Sequence, residues 1–372
     1  MNPPSVPQTS TGAALVGCGA LAELYYAPAL KGLLSAEPIR VTALVDPNQS
    51  RRSVLSRFFP GARGLASVDE LKPGEADFAI VASPQKFHAA QTIALLRAGL
   101  HVLCEKPMAS TVQEARSMVE AAAECRRLLS VGLFRRFFPT SRMIHELIGG
   151  NSLGKPLGFE WAEGGPFNWP AASPSFFQKS ASPGGVFADI GTHVLDLLLW
   201  WFGEPDSFDY SDDATGGIEA NARLRLRFGN GVAGSVRLSR DTVIPNGTRI
   251  QFERGSVWFQ GASADSLVLQ LKGCTDVARS SLHSGPRPNG GIGSGFGAPA
   301  PTYPQSFMEQ IRNLCQAIRG EAPLVVPGCD AVRGMDLIER CYAARTTMPM
   351  PWLNRDERAG VDRLTAGRPE HP

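Results

Sequence analysis

The chain has 372 residues, 43% apolar and 19% charged, which exceeds one compact core and excludes a fully disordered protein. A formal net charge of +2 gives no field that would call for nucleic acid or an anionic membrane. The longest apolar run, Val194 to Phe202, is interrupted by Asp196. It falls far short of the about 20 residues that span a bilayer, so no membrane partner is expected.

The first part alternates short apolar runs with helical patterns, as a βαβ sheet does. Strands are predicted at Ala13–Val16, Val41–Val45, Phe78–Ala82 and His101–Cys104. Phe87–Ala98 reads as a helix stopped by Gly99, where a positive φ is cheap. Thr111 and Glu114 form a capping box ahead of a helix to about Arg127, and Leu128–Leu133 is a further strand. Runs apolar at every position are covered on both faces, so the sheet is expected to be parallel.

The pattern changes after Phe134. Thr140–Ile148 reads as a helix closed by Gly149-Gly150. Arg223 to Phe228 alternates strictly, Asn230-Gly231 supplies a turn, and Ser235 to Leu238 resumes the alternation: an antiparallel hairpin with one dry face. Its arginines read as a solvated or subunit-facing surface. Residues 284–301 are rich in Gly and Pro and read as an exposed loop, a helix follows over Gln305–Ile318, and the tail beyond Pro351 is polar. The expected division is a tail at 1–12, a dinucleotide-binding domain at 13–133, a second domain at 134–350 and a polar tail at 351–372.

Seven cysteines are scattered at 18, 104, 125, 274, 315, 329 and 341 without C-x-x-C spacing. An odd, dispersed set fits reduced thiols better than a disulfide framework or a zinc cluster. Met1–Ser10 lack the basic start and apolar run of a secretory signal, so the cytoplasm is the expected compartment.

Gly17-Cys18-Gly19-Ala20-Leu21-Ala22 follows the first strand and opens a helix. Gly17 permits the tight turn, Gly19 lets backbone approach a pyrophosphate, and the small Ala22 lets helix and strand pack closely. The helix N-terminus offers unpaired N–H groups to the phosphates. Asp46, closing the second strand, can accept from the adenosine ribose and repels the extra phosphate of NADP. NAD is therefore the preferred cofactor; Arg51 and Arg52 nearby keep NADP possible. A bare glycine turn without ligand is the plain alternative.

Two stretches carry the chemistry. Cys104-Glu105-Lys106-Pro107 ends the fourth strand, where ligands sit in open α/β sheets, and a lysine there can anchor a substrate oxygen. A surface lysine beside a turn proline is the alternative. In Gly184-Gly185-Val186-Phe187-Ala188-Asp189-Ile190-Gly191-Thr192-His193-Val194-Leu195-Asp196, helical spacing puts Asp189, His193 and Asp196 on one face. A carboxylate can then hold the imidazole in one tautomer for proton transfer; a satisfied core histidine competes with that reading. No H-E-x-x-H or comparable spacing occurs, so no metal is expected.

Read together, the glycine fingerprint, Ala82-Ser83-Pro84 through His88, Glu105-Lys106-Pro107, Asp189-Ile190-Gly191-Thr192-His193 and the stretches Tyr303–Ile318 and Gly328–Tyr342 resemble the glucose-fructose oxidoreductase/inositol dehydrogenase family. The resemblance implies an α/β chain: a Rossmann NAD(P)-binding domain, then an α/β domain with a large, mostly antiparallel open sheet for substrate binding and oligomerisation. It implies a homodimer or homotetramer and hydride transfer to or from a sugar, cyclitol, sugar acid or nucleotide sugar. Lys106, Asp189 and His193 become catalytic candidates, with His193 the acid/base. Gly17, Gly19, Ala20, Leu21, Ala22, Asp46, Ser83, Pro84, His88, Glu105 and Lys106 become cofactor-binding candidates. Arg135 or Arg136 could reach an anionic substrate group, with Arg136 favoured and a structural salt bridge as its alternative. Trp161, Phe167 and Trp169 flank a Gly-Gly-Pro loop and could wall a sugar ring, with Trp169 favoured and core packing the alternative for Trp161. A redox-neutral NAD-dependent glycosidase and a non-catalytic dinucleotide sensor are the rival functions.

Overall fold

The computed structural model describes residues 10–35, 37–167, 182, 184–260, 266–281, 303–349 and 355–366. Trp169 and the 284–301 loop lie outside them. Contacts gather the chain into two units: Met1–Phe138 with Pro299–Arg333, and Pro139–Ala298 with Gly334–Pro372.

In the first unit six strands form one sheet: β1 Thr11–Val16, β2 Ile39–Val45, β3 Arg63–Leu65, β4 Phe78–Val81, β5 His101–Cys104 and β6 Leu129–Val131. Every pairing is parallel, in the order β3-β2-β1-β4-β5-β6. The order reverses between β1 and β4, the switch point at which such sheets bind ligands. β4 is buried at all four positions, as its uninterrupted apolar run requires. The short β3 carries no apolar run and was not legible.

The helix Tyr303–Ile318, far along the chain, packs on this unit. Its Phe307 meets Tyr25, Tyr26 and Phe134 at ring separations of 5.1, 5.0 and 4.9 Å. Such offset and edge contacts suit the ring quadrupoles.

The second unit is built on nine strands. They are β7 Pro156–Gly164, β8 Pro205–Asp212, β9 Asn221–Phe228, β10 Ala233–Ser239, β11 Gly247–Phe252, β12 Gly255–Phe259, β13 Ser266–Leu271, β14 Val277–Ser281 and β15 Thr346–Thr347. Their order is β14-β13-β12-β11-β7-β10-β9-β8-β15, and only β7–β10 and β8–β15 pair in parallel. The expected hairpin is β9–β10, turned at Gly231 with φ +89°. Ala222, Leu224, Leu226 and Phe228 face the core while Arg223, Arg225 and Arg227 face outward.

The helix Thr192–Phe202 buries Leu195, Leu198 and Trp201 in a cluster with Trp161, Phe228 and Phe252. Trp161 is 1% exposed, so it is core and cannot wall a sugar. Among the described residues no helix is long and apolar enough to cross a membrane.

Candidate active site

At the end of β1 the backbone turns at Gly17, with φ +88°. A Cβ there would overlap the backbone of Ala82 and Ser83, so glycine is required twice over. A Cβ on Gly19 would meet nothing within 4 Å. Its freedom serves no packing inside the protein; it leaves the backbone open to a close ligand. Ala20 and Leu21 begin the helix, and Ala22 is fully buried in a π-helical turn that runs into Ala27–Leu33. This cradle fits a dinucleotide pyrophosphate.

Asp46 ties that loop to the end of β2. Its Oδ2 accepts from Cys18 N at 2.8 Å and its Oδ1 from Asn48 N at 2.8 Å. Arg52 donates to the Asp46 carbonyl, and Arg51 Nη1 lies 3.8 Å from Glu23. Burial pushes the Cys18 thiol up to about 12, which disfavours its thiolate.

The loops after β4 and β5 are braced from within. His88 is 2% exposed; its Nε2 lies 2.7 Å from Ser83 O and its Nδ1 2.8 Å from Pro107 O. Burial holds its pKa below the usual histidine value. The His88 ring thus bridges the loops after β4 and β5, lying between the Ser83 and Pro107 carbonyls. Ser83 Oγ donates to Gln91 Oε1 at 2.6 Å, and Pro84 leads into the next helical turn.

Glu105 is held from within in the same way. Its carboxylate is buried, Oε1 accepting from the Tyr26 hydroxyl at 2.5 Å and Oε2 from Lys106 N at 2.9 Å. Tyr26 in turn accepts from Gln310 Nε2 at 3.2 Å. Gly132 leaves the room, since a Cβ there would lie 2.7 Å from Glu105 Oε1. Glu105 thus positions the backbone of half-buried Lys106, whose peptide to Pro107 is cis.

Arg136 is 1% exposed, and its Nη1 donates to Asp330 Oδ2 at 2.6 Å and Val325 O at 3.1 Å. Arg136 thus makes a buried structural salt bridge with Asp330.

In the second unit a π-helical turn, Phe187–Gly191, runs into Thr192–Phe202 and carries Asp189 and the buried His193 and Asp196. Asp189 Oδ2 accepts from Arg240 Nη2 at 3.3 Å. The start of this helix is held by Glu219, whose Oε1 accepts from Gly185 N at 2.8 Å, Phe187 N at 2.9 Å and the Tyr342 hydroxyl at 2.8 Å. A Cβ on Gly184 would overlap Tyr342, and one on Gly185 would overlap Glu219.

Glu219, Tyr26 and Arg240 belong to none of the sequence motifs. For Arg240 a signal existed: period two carries Val236 and Leu238 to the dry face and puts position 240 there too, where an arginine is out of place. Glu219 and Tyr26 offered none, since their partners are remote in the chain.

Residues 11–133 match the oxidoreductase family with an NAD-binding Rossmann fold, and residues 141–258 match the GFO/IDH/MocA C-terminal domain. The chain is similar to the rhizopine catabolism protein MocA of Rhizobium meliloti, 25% identical over 87% of this chain and 92% of the relative. It is also similar to D-glucoside 3-dehydrogenase of Escherichia coli, 28% identical over 52% of this chain and 54% of that protein. An oxidoreductase from Agrobacterium radiobacter, solved with NAD+, L-tartaric acid and magnesium, shares the fold at a TM-score of 0.76. That likeness covers 90% of this chain and 96% of the other at 18% identity. With both matched segments in order along one polypeptide, the chain belongs to the GFO/IDH/MocA oxidoreductase family.

Proposed function

We propose that this protein is an NAD-linked dehydrogenase or reductase acting on a hydroxyl or keto carbon of a sugar, cyclitol, sugar acid or nucleotide sugar. The observation that carries the reading is the cradle at the β1–β4 switch point, where Gly17 must be glycine for the fold and Gly19 is open for a ligand. Gly17, Gly19, Ala20, Leu21 and Ala22 hold the pyrophosphate, Asp46 takes the ribose and selects NAD over NADP, and Ser83 and Pro84 line the cofactor. When bound, the nicotinamide supplies the hydride acceptor or donor.

His193 removes the hydroxyl proton, Lys106 stabilises the oxygen as charge develops, and Asp189 orients the reacting group. Relatives named as sugar and inositol dehydrogenases support the substrate class. The chain works in the cytoplasm, in line with its seven scattered thiols. It assembles as a homodimer or homotetramer through the outer face of the nine-stranded sheet, where Trp258 is 42% exposed.

The test follows nicotinamide absorbance against a panel of sugars, cyclitols, sugar acids and nucleotide sugars, with NAD and NADP, in both directions. A substrate-dependent change is expected. His193→Ala should lower turnover by about 10²–10⁴-fold while cofactor binding persists. Full activity in Lys106→Ala would remove that lysine from the chemistry. Glycoside cleavage with bound NAD and no net cofactor turnover would replace this reading by the redox-neutral one.

A further inference from the structure

Arg240 follows β10 on the strand's dry side, and its side chain is 8% exposed. Among the described residues one hydrogen bond engages its guanidinium, from Nη2 to Asp189 Oδ2 at 3.3 Å, long for a charge-assisted pair. The ring of Phe167 lies 5.3 Å from the guanidinium carbon. Nε and Nη1 are fully buried and meet no acceptor among the described residues. The adjacent Asp241 does not relieve them, because it takes donors from Ser239, Thr242 and Asn221.

An arginine cannot shed its charge, and its N–H groups lose hydrogen bonds to water when buried. A buried guanidinium with open donors, paired to a residue of the candidate site, fits a group that meets its acceptor in the ligand. A neutral hydroxyl could accept from those donors, but an amide side chain would serve it without burying a cation. An anionic oxygen does more than accept: it compensates the buried cation, and a carboxylate can take two guanidinium N–H groups in parallel.

We propose that Arg240 is a specificity-determining residue that receives the carboxylate of an acidic sugar, an aldonate or uronate. The inference rests on the reading of Asp189 as part of the substrate site, and it narrows the substrate class to carboxylate-bearing polyols.

The test is calorimetric titration of the full chain, saturated with NADH, with D-gluconate, D-glucuronate, D-glucose 6-phosphate, D-glucose and D-glucitol. One or both acids should bind at least about tenfold tighter than the neutral sugars. In Arg240→Gln that advantage should vanish, through a loss of about tenfold or more for the acid and a smaller one for the neutral sugars. The neutral sugars and NADH report on folding and on Asp189 placement within the same variant. Arg240→Lys should be intermediate, keeping charge without the planar fork.

The proposal is overturned if wild type binds acids no tighter than neutral sugars, or if Arg240→Gln weakens both classes equally. It is overturned too if glucose 6-phosphate, not a carboxylate, shows the Arg240-dependent advantage. Arg240-dependent acid binding without hydride transfer would sustain this inference and defeat the dehydrogenase reading. Turnover of neutral sugars with no such preference would do the reverse.

Discussion

Tyr26 donates its hydroxyl hydrogen to Glu105 at 2.5 Å across 79 residues of sequence, inside the first unit. Burial raises the Glu105 carboxyl above its ordinary range, and the bonds from Tyr26 and Lys106 N offset part of that. The folded chain therefore holds this proton more tightly than the unfolded one. Stability falls as pH climbs from the usual carboxylate range through the raised value.

Tyr26→Phe strips a donor from the charged form. It should cost about 1–3 kcal/mol where Glu105 is ionised, and less where the carboxyl keeps its proton. Thermal melts of both proteins from about pH 5 to about pH 8 check this. A melting-temperature gap that shrinks toward high pH contradicts the assignment.

Glu219 gathers three donors on one oxygen: Gly185 N, Phe187 N and the Tyr342 hydroxyl. Glu219→Ala leaves two buried N–H groups and the half-buried Tyr342 hydroxyl without this acceptor and should destabilise the protein by roughly 3 kcal/mol or more. Glu219→Gln keeps an acceptor and should lose less. Denaturant titration of the two variants against wild type decides it; equal losses would mean that the bonds to Oε1 are not what holds the helix start.

Gly17 and Gly19 should part company. At Gly17 both the +88° φ and the overlap with Ala82 and Ser83 forbid a side chain, so Gly17→Ala should cost more than about 1 kcal/mol and lower the melting temperature. At Gly19 the space is open, so Gly19→Ala should melt close to wild type. If the pyrophosphate approaches there, its NADH affinity should drop about tenfold or more. Fluorescence titration with NADH gives the second number, and unchanged affinity would move the phosphates elsewhere.

Asp46 bears on cofactor choice. Asp46→Ser removes the negative charge opposite a ribose phosphate, and should shift the ratio of NADP to NAD affinity toward NADP by about tenfold. Both affinities should also fall, because the carboxylate holds Cys18 N and Asn48 N. Competition titrations with the two cofactors test this, and an unchanged ratio would clear Asp46 of the selection.

Much of the first sheet was open to reading because its signals are local. β1, β2, β4 and β5 show as apolar runs, and the alternation of β9 and β10 around Asn230-Gly231 states its own register. The glycine fingerprint shows for the same reason: turn geometry depends on adjacent residues, and only glycine accepts φ +88° cheaply.

The roles of single polar side chains were not so accessible. His88 and Glu105 sit within motifs that read as cofactor contacts, yet the fold turns both inward, onto Ser83 and Pro107 and onto Tyr26. Arg136 finds Asp330 across 194 residues, and Arg240 finds Asp189 across 51. Periodicity assigns a residue to a face and turn chemistry assigns a bend, because both depend on covalent neighbours. Which buried donor meets which acceptor depends on chain segments brought together by the collapse of the core, and no local pattern encodes that.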